Sequence, residues 1–193
     1  MATKQAYFDM ALELLAEQGY SALKQATLCK RVGVTTGAFY RCFDNWRDFT
    51  SQLLAHWHTD RTRQLVETIR RTDDPAARLN ALLQFALSLP HGAEAAIRVW
   101  SKIDPQIHAV QASVDAQRVQ AVLDLSGSLF PNEDEALRHA QWGLYLLVGY
   151  HFTSTEPDEF RSLDHLLRKL LSEMLHAHGD CTQEANTGRT GQG

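Results

Sequence analysis

Apolar residues recur along most of this chain at intervals of three and four, the spacing of one face of an α-helix. Tyr7, Met10, Ala11, Leu14 and Leu15 open the series, and Gly19 ends it as a C-terminal cap does. The pattern then predicts a short helix over 26–32, a Gly33-Val34 turn and another short helix over 35–43. Gly37 inside the last of these is unexpected, since glycine costs roughly 1 kcal/mol against alanine in a helix. Asn45 followed by Asp48 resembles a capping box with Asp in place of Glu, so a long helix is expected from about Trp46 through Leu53, Leu54, Trp57 and Leu65 to about Arg70. Asp74-Pro75 and Asp104-Pro105 each supply an N-cap and a first-turn proline, opening helices over 75–89 and 105–129 with a shorter one over 92–101 between them. Asn132 with Glu135 caps a helix running to about Tyr150, and the last helix is expected over 158–177. No stretch alternates with period two over a strand's length, so the expected fold is all α. Residues 179–193 are small, polar and glycine-rich, and a disordered tail is expected there.

Composition narrows the class. Over 193 residues, 44% are hydrophobic and 22% charged, which is globular rather than disordered. The net charge of −4 conceals an asymmetry, because residues 24–47 carry Lys24, Lys30, Arg31, Arg41 and Arg47 against Asp44 alone. A polyanion is best held there. Cysteines at 29, 42 and 181 have no metal-binding spacing, and their odd number points to reduced thiols in a cytoplasmic protein, Cys29 and Cys42 as small core residues. No apolar run is long enough for a bilayer, so no membrane partner is expected. The pairs His56/His58 and His176/His178 lie two apart and diverge on a helix, so no metal is expected. Nucleophile elbow, glycine-rich phosphate loop and HExxH are all missing, which argues against an enzyme and against a cofactor.

The segment 26–43 reads ATLCKRVGVTTGAFYRCF, an apolar helix, a Gly-Val turn and a second short helix. That is the layout of a helix-turn-helix, whose second helix enters the major groove. Cys29 permits a close crossing, Val34 plugs the turn, and Phe39 with Phe43 anchors the second helix. The opposite face presents Thr35, Thr36, Ala38, Tyr40 and Arg41, whose hydroxyls and guanidinium suit phosphate oxygens and base edges. Gly37 then acquires a reason, since a missing side chain lets backbone approach a sugar-phosphate strand.

The run Gly33-Val34-Thr35-Thr36-Gly37-Ala38-Phe39-Tyr40-Arg41-Cys42-Phe43 resembles the AGVSxGTLYxHF signature of the TetR family of bacterial regulators, and Ala11, Leu14, Leu15, Glu17, Gly19 and Tyr20 are similar to that family's first helix and turn. The resemblance implies a nine-helix, two-domain architecture: a three-helix DNA-binding domain at 1–47 with the helix-turn-helix at about 24–43, a ligand-binding and dimerisation domain at 48–178, and the tail. It implies that Tyr40 and Thr36 bind phosphates, that Gly37 lies against the DNA backbone, and that Arg41 and Thr35 reach bases or adjacent phosphates. Three departures stand out. Trp46 replaces the usual phosphate-binding lysine, leaving an indole N–H and the adjacent Arg47; Leu23-Lys24 replaces a Thr/Ser pair, so that Lys24 is the contact on offer; and the N-terminal arm holds only Lys4.

A single recognition helix covers few base pairs, so such proteins usually dimerise. Trp142, Tyr145, Leu146 and Gly149 form one apolar stripe, and Leu163, Leu166, Leu167, Leu170, Leu171 and Met174 another; either serves as subunit interface or as internal core. The resemblance implies a homodimer through a four-helix interface, together with a small-molecule effector inside the second domain. Aromatics interrupted by polar groups are the candidates for that pocket: Trp57, Phe85, Arg98, Trp100, Tyr145, Tyr150 and His151. Arg98 needs a partner, either Asp104 or Asp115 or an anionic ligand. The function expected is a repressor that binds a palindromic operator in double-stranded DNA and is released by its effector; a helical interaction module of this fold without DNA binding is the alternative.

Overall fold

Local signals in the sequence account for most of the element boundaries. The computed structural model describes residues 2–69, 74–126, 130, 132–153 and 157–187, and among them there are nine α-helices, one 3-10 turn and no strand. Helix α1 (Lys4–Gln18) is capped by Thr3, whose hydroxyl accepts from the Ala6 N–H, and ends at Gly19 with φ 73°. A 3-10 turn (Tyr20–Ala22) leads into α2 (Gln25–Val32). Gly33 then adopts φ 75°, its N–H reaching Lys30 O and the Val34 N–H reaching Cys29 O, the paired bonds of a Schellman ending. Helix α3 (Thr36–Phe39) is shorter than the 35–43 expected, but a bond from Phe43 N to Phe39 O carries the turn onward.

Asn45 caps α4 (Trp46–Ile69) as expected, the Asp48 N–H donating to Asn45 Oδ1 at 2.9 Å, but the return bond to Asp48 Oδ2, at 3.1 Å, comes from the N–H of Asp44, one residue before the cap, so only half of the expected box forms. Asp74 caps α5 (Pro75–Leu87) through the Ala77 N–H. Helix α6 (His91–Trp100) follows, and Asp104, whose Oδ1 accepts from the Gln106 N–H at 2.8 Å, caps α7 (Pro105–Ser126). Asn132 caps α8 (Glu133–Thr153) through the Glu135 N–H at 3.0 Å. Helix α9 (Pro157–Thr187) continues past residue 178, so the part of the tail at 179–187 is helical rather than disordered. Once a helix exists, each further residue adds a hydrogen bond without a new nucleation step, and Gln183, Glu184 and Ala185 are good helix formers. Arg70, residues 127–129 and residues 188–193 lie outside the described residues.

The chain forms two compact units, residues 1–62 with 89–114 and residues 63–88 with 115–193. The first is larger than the 1–47 expected from the motif, because α6 and the start of α7 fold with it. At the crossing of α1 and α6 a Cβ on Gly92 would stand 2.9 Å from Ala16 O, so the two backbones touch there. Trp100 of α6 stacks on Tyr20, ring centroids 4.8 Å apart. The core of this unit is aromatic: Tyr7 meets Phe39 and Phe43 edge-on at 5.8 and 5.4 Å, and Phe43 meets Phe49 at 5.0 Å. The second unit has a smaller buried cluster among the described residues, Leu79, Phe130, Ala136 and Met174, with Leu170 and Leu171 packed against it.

Candidate nucleic-acid interface

Helix α3 owes its orientation to its buried side. Phe39 and Phe43 are almost fully enclosed by α1 and α4 residues, so the remaining positions of the segment must face solvent. Thr35, Thr36, Gly37, Tyr40 and Arg41 are exposed and Ala38 half-buried, as the alternation of faces required. Thr35 is the N-cap, its Oγ1 accepting from the Ala38 N–H at 3.3 Å, which leaves its hydroxyl proton available to an external acceptor. Tyr40 is 53% exposed, and its hydroxyl donates to Gln25 Oε1 at 3.4 Å.

Gly37 has a negative φ, and a Cβ placed on it meets only Thr35 Oγ1 at 3.9 Å. The protein's own packing therefore gives no reason for a glycine there.

The flanking cations divide. Lys24 and Arg47 are exposed; Lys24 is the N-cap of α2 and makes no side-chain cap bond. Arg31 is tied to Glu17 of α1 in an ion pair. Lys4, the only cation of the expected arm, lies instead within α1, donating to Gln52 Oε1 at 2.8 Å and sitting 5.4 Å from the centre of the Phe43 ring. Gln52 in turn donates to both oxygens of Asp48 at 2.9 Å. That amide first, then the Asp44 N–H, and more weakly the Lys4 ammonium, hold the Asp48 carboxyl below the usual carboxylate range. Trp46 is half-buried, with its ring 4.9 Å from Phe49 and 6.1 Å from Phe39, so its apolar body braces the recognition segment. Cys29 is buried and its thiol pushed up by that burial, which makes it the inert core residue expected. Cys42 is half-buried.

The expected effector residues are divided between the two units. Trp57, Arg98 and Trp100 belong to the first unit, and Phe85, Tyr145, Tyr150 and His151 to the second. Trp57, Arg98, Trp100 and His151 are buried, and Phe85 and Tyr150 half-buried. Tyr145 is 62% exposed and lines a surface depression with Trp142, Leu146, Leu166 and Leu170. Periodicity could not separate these cases, since α8 carries apolar residues on more than one face.

The dimer stripe also needs correction. Leu163, 3% exposed, and Leu167 point into the chain's own core, whereas Leu166, 44% exposed, points out. Leu171 packs against the buried cluster of its own unit, and Leu170 both packs there and lines the depression. Gly149 is exposed with open space around it. Gln25 and Glu17 are the neighbours that sequence reasoning missed, because each acts across a turn on a residue more than ten positions away.

The sequence profile of bacterial regulatory proteins of the tetR family matches residues 8–49. No curated protein matches the chain. Among solved structures, a transcriptional regulator from Rhodococcus sp. Rha1 is 18% identical with a TM-score of 0.75, covering 91% of this chain and 97% of that one. A TetR transcription regulator from Haloarcula marismortui ATCC 43049 is 19% identical with a TM-score of 0.71, at 90% and 96% coverage. The regulator FadR from Bacillus subtilis, solved with stearoyl-CoA, is 15% identical with a TM-score of 0.67, at 91% and 99% coverage. At these identities the likeness is one of fold. The shared fold is all-α, with a helix-turn-helix near its N-terminus. Through its segment 8–49, which holds the helix-turn-helix, the chain is similar to the tetR family of bacterial regulatory proteins.

Proposed function

We propose that this chain is a transcriptional repressor that grips a palindromic operator as a homodimer and is released by a small-molecule effector. The observation that carries the DNA-contacting part is one exposed surface holding Thr35, Thr36, Gly37, Tyr40 and Arg41, with a glycine that internal packing does not require. Tyr40 and Thr36 meet phosphates, Arg41 and Thr35 meet bases or adjacent phosphates, and the Gly37 backbone lies against the sugar-phosphate strand. Ala38 faces the same groove, while Lys24, Arg47 and the Trp46 N–H flank it.

Dimerisation rests on the apolar face of α8 and α9, where Trp142, Tyr145, Leu146, Gly149, Leu166 and Leu170 stand at or near the surface. The effector reading is supported by one buried donor: the Trp57 indole N–H has no acceptor among the described residues. Helix α4 carries Trp57 and begins beside the recognition segment, so a ligand that shifts it changes the spacing of the paired recognition helices. FadR of the same fold was solved with stearoyl-CoA, which makes that molecule the first to try.

The test is anisotropy of a labelled duplex titrated with protein at several salt concentrations. If Lys24, Arg41 and Arg47 of two subunits each neutralise a phosphate, log affinity falls against log salt with a slope of about −5. A Tyr40→Phe, Arg41→Ala chain should retain its fold and lose operator binding. A native chain with no duplex affinity at low salt would favour the interaction module instead, a reading that the engaged Lys4 and the core-facing Trp46 support.

A further inference from the structure

A phosphate oxygen of the DNA backbone accepts hydrogen bonds and has none to give, so Tyr40 can hold it only with its own phenolic proton. In this structure that proton is directed at Gln25 Oε1, 3.4 Å away. The other atom of the same amide, Gln25 Nε2, is buried and has no partner among the described residues. Half a turn about the soft terminal torsion of Gln25 exchanges the two atoms. The amide N–H then donates to the Tyr40 oxygen and the phenolic proton turns outward. One unpartnered buried amide atom replaces another, so the two orientations are closely matched in the free protein, and a ligand that can only accept selects the second. A donor behind the phenol oxygen also polarises the O–H and strengthens it.

We propose that Gln25, the first residue of α2, is a positioning residue for DNA: its amide donates to the Tyr40 hydroxyl oxygen and so commits the phenolic proton to a backbone phosphate. This rests on the reading that Tyr40 meets DNA, and adds to it a residue that touches no nucleotide itself. Both side chains are uncharged, so their effect appears in affinity and leaves the salt slope unchanged.

The experiment titrates a labelled random-sequence duplex at fixed low salt with four full-length chains: native, Gln25→Met, Tyr40→Phe and the double variant. Gln25→Met, nearly isosteric and unable to donate, is expected to weaken binding about three- to tenfold beside Tyr40 and about twofold or less beside Phe at that position, at an unchanged salt slope. Additive losses in the double variant overturn the inference, because a merely structural Gln25 acts whether or not the phenol is present. Gln25→Glu supplies an independent readout. Its carboxylate can accept the phenolic proton and cannot donate, so at pH 8 its deficit is expected to be larger beside Tyr40 than beside Phe at that position; equal deficits in the two backgrounds overturn the inference. A native chain that does not bind the duplex, or a Tyr40→Phe chain that binds as well as native, removes the underlying reading and the inference with it.

Discussion

The two units of this chain satisfy their apolar residues differently. The first encloses twenty residues in one buried cluster among the described residues, seven of them Tyr, Phe or Trp that include Tyr7, Phe39, Phe43 and Phe49. The second encloses Leu79, Phe130, Ala136 and Met174 in its cluster; the first exposes Tyr40, Val99 and Ile103 as well, whereas the second exposes Trp142, Tyr145, Phe152 and Leu166 along α8 and α9. The first unit holds its short recognition segment from inside, through the enclosed rings of Phe39 and Phe43. The second gathers Trp142, Tyr145, Leu146, Leu166 and Leu170 around one surface depression, the apolar patch on which the proposed dimerisation rests.

Paired leucines on α9 break or sharpen this contrast most strongly. Leu163→Ala opens a cavity in the chain's own core and is expected to cost about 2–5 kcal/mol, read as a lower midpoint in denaturant melts. Leu166→Ala, three residues on, is expected to stay within about 0.5 kcal/mol for the protomer, and to appear in sedimentation as weaker self-association. Equal effects of the two on protomer stability would erase the distinction between core and surface faces of α9. In the first unit, Asn45→Ala removes the acceptor for the Asp48 N–H and should cost about 1 kcal/mol, with exchange of the first α4 amides accelerating. The smallest effect is a pH dependence. Asp48 is held below its ordinary value, so the stabilisation from its ionised form is present above the unfolded carboxylate value and is lost as pH falls through the folded one. The melting difference between native and Asp48→Asn chains should therefore shrink from pH 7 towards pH 3.

How much of this was legible in the sequence follows from the range of each interaction. Caps, proline starts and glycine ends act within four residues, and Gly19, Gly33, Asn45, Asp74, Asp104 and Asn132 all mark boundaries where expected. The exposed face of α3 was legible for the same reason, since Phe39 and Phe43 leave the other positions no choice. Long-range choices were not. Whether Leu163 or Leu166 turns inward depends on where α9 meets its neighbours, and the 3.6-residue period allows both. Lys4 reads as a free arm residue until Gln52, 48 positions on, and Phe43 fold beside it. The effector set stayed open because aromatic residues at helical spacing are equally suited to core, to surface and to pocket.

Gly37 offers the most direct test of the account, because stability and binding should move in opposite directions there. With a negative φ and room for a Cβ, Gly37→Ala should hold or raise the melting midpoint, by up to about 1 kcal/mol. The added methyl should at the same time push the backbone off the DNA strand and lower duplex affinity at least tenfold at low salt. A Gly37→Ala chain that melts no lower than native and binds duplex as tightly would contradict the placement of this face against DNA.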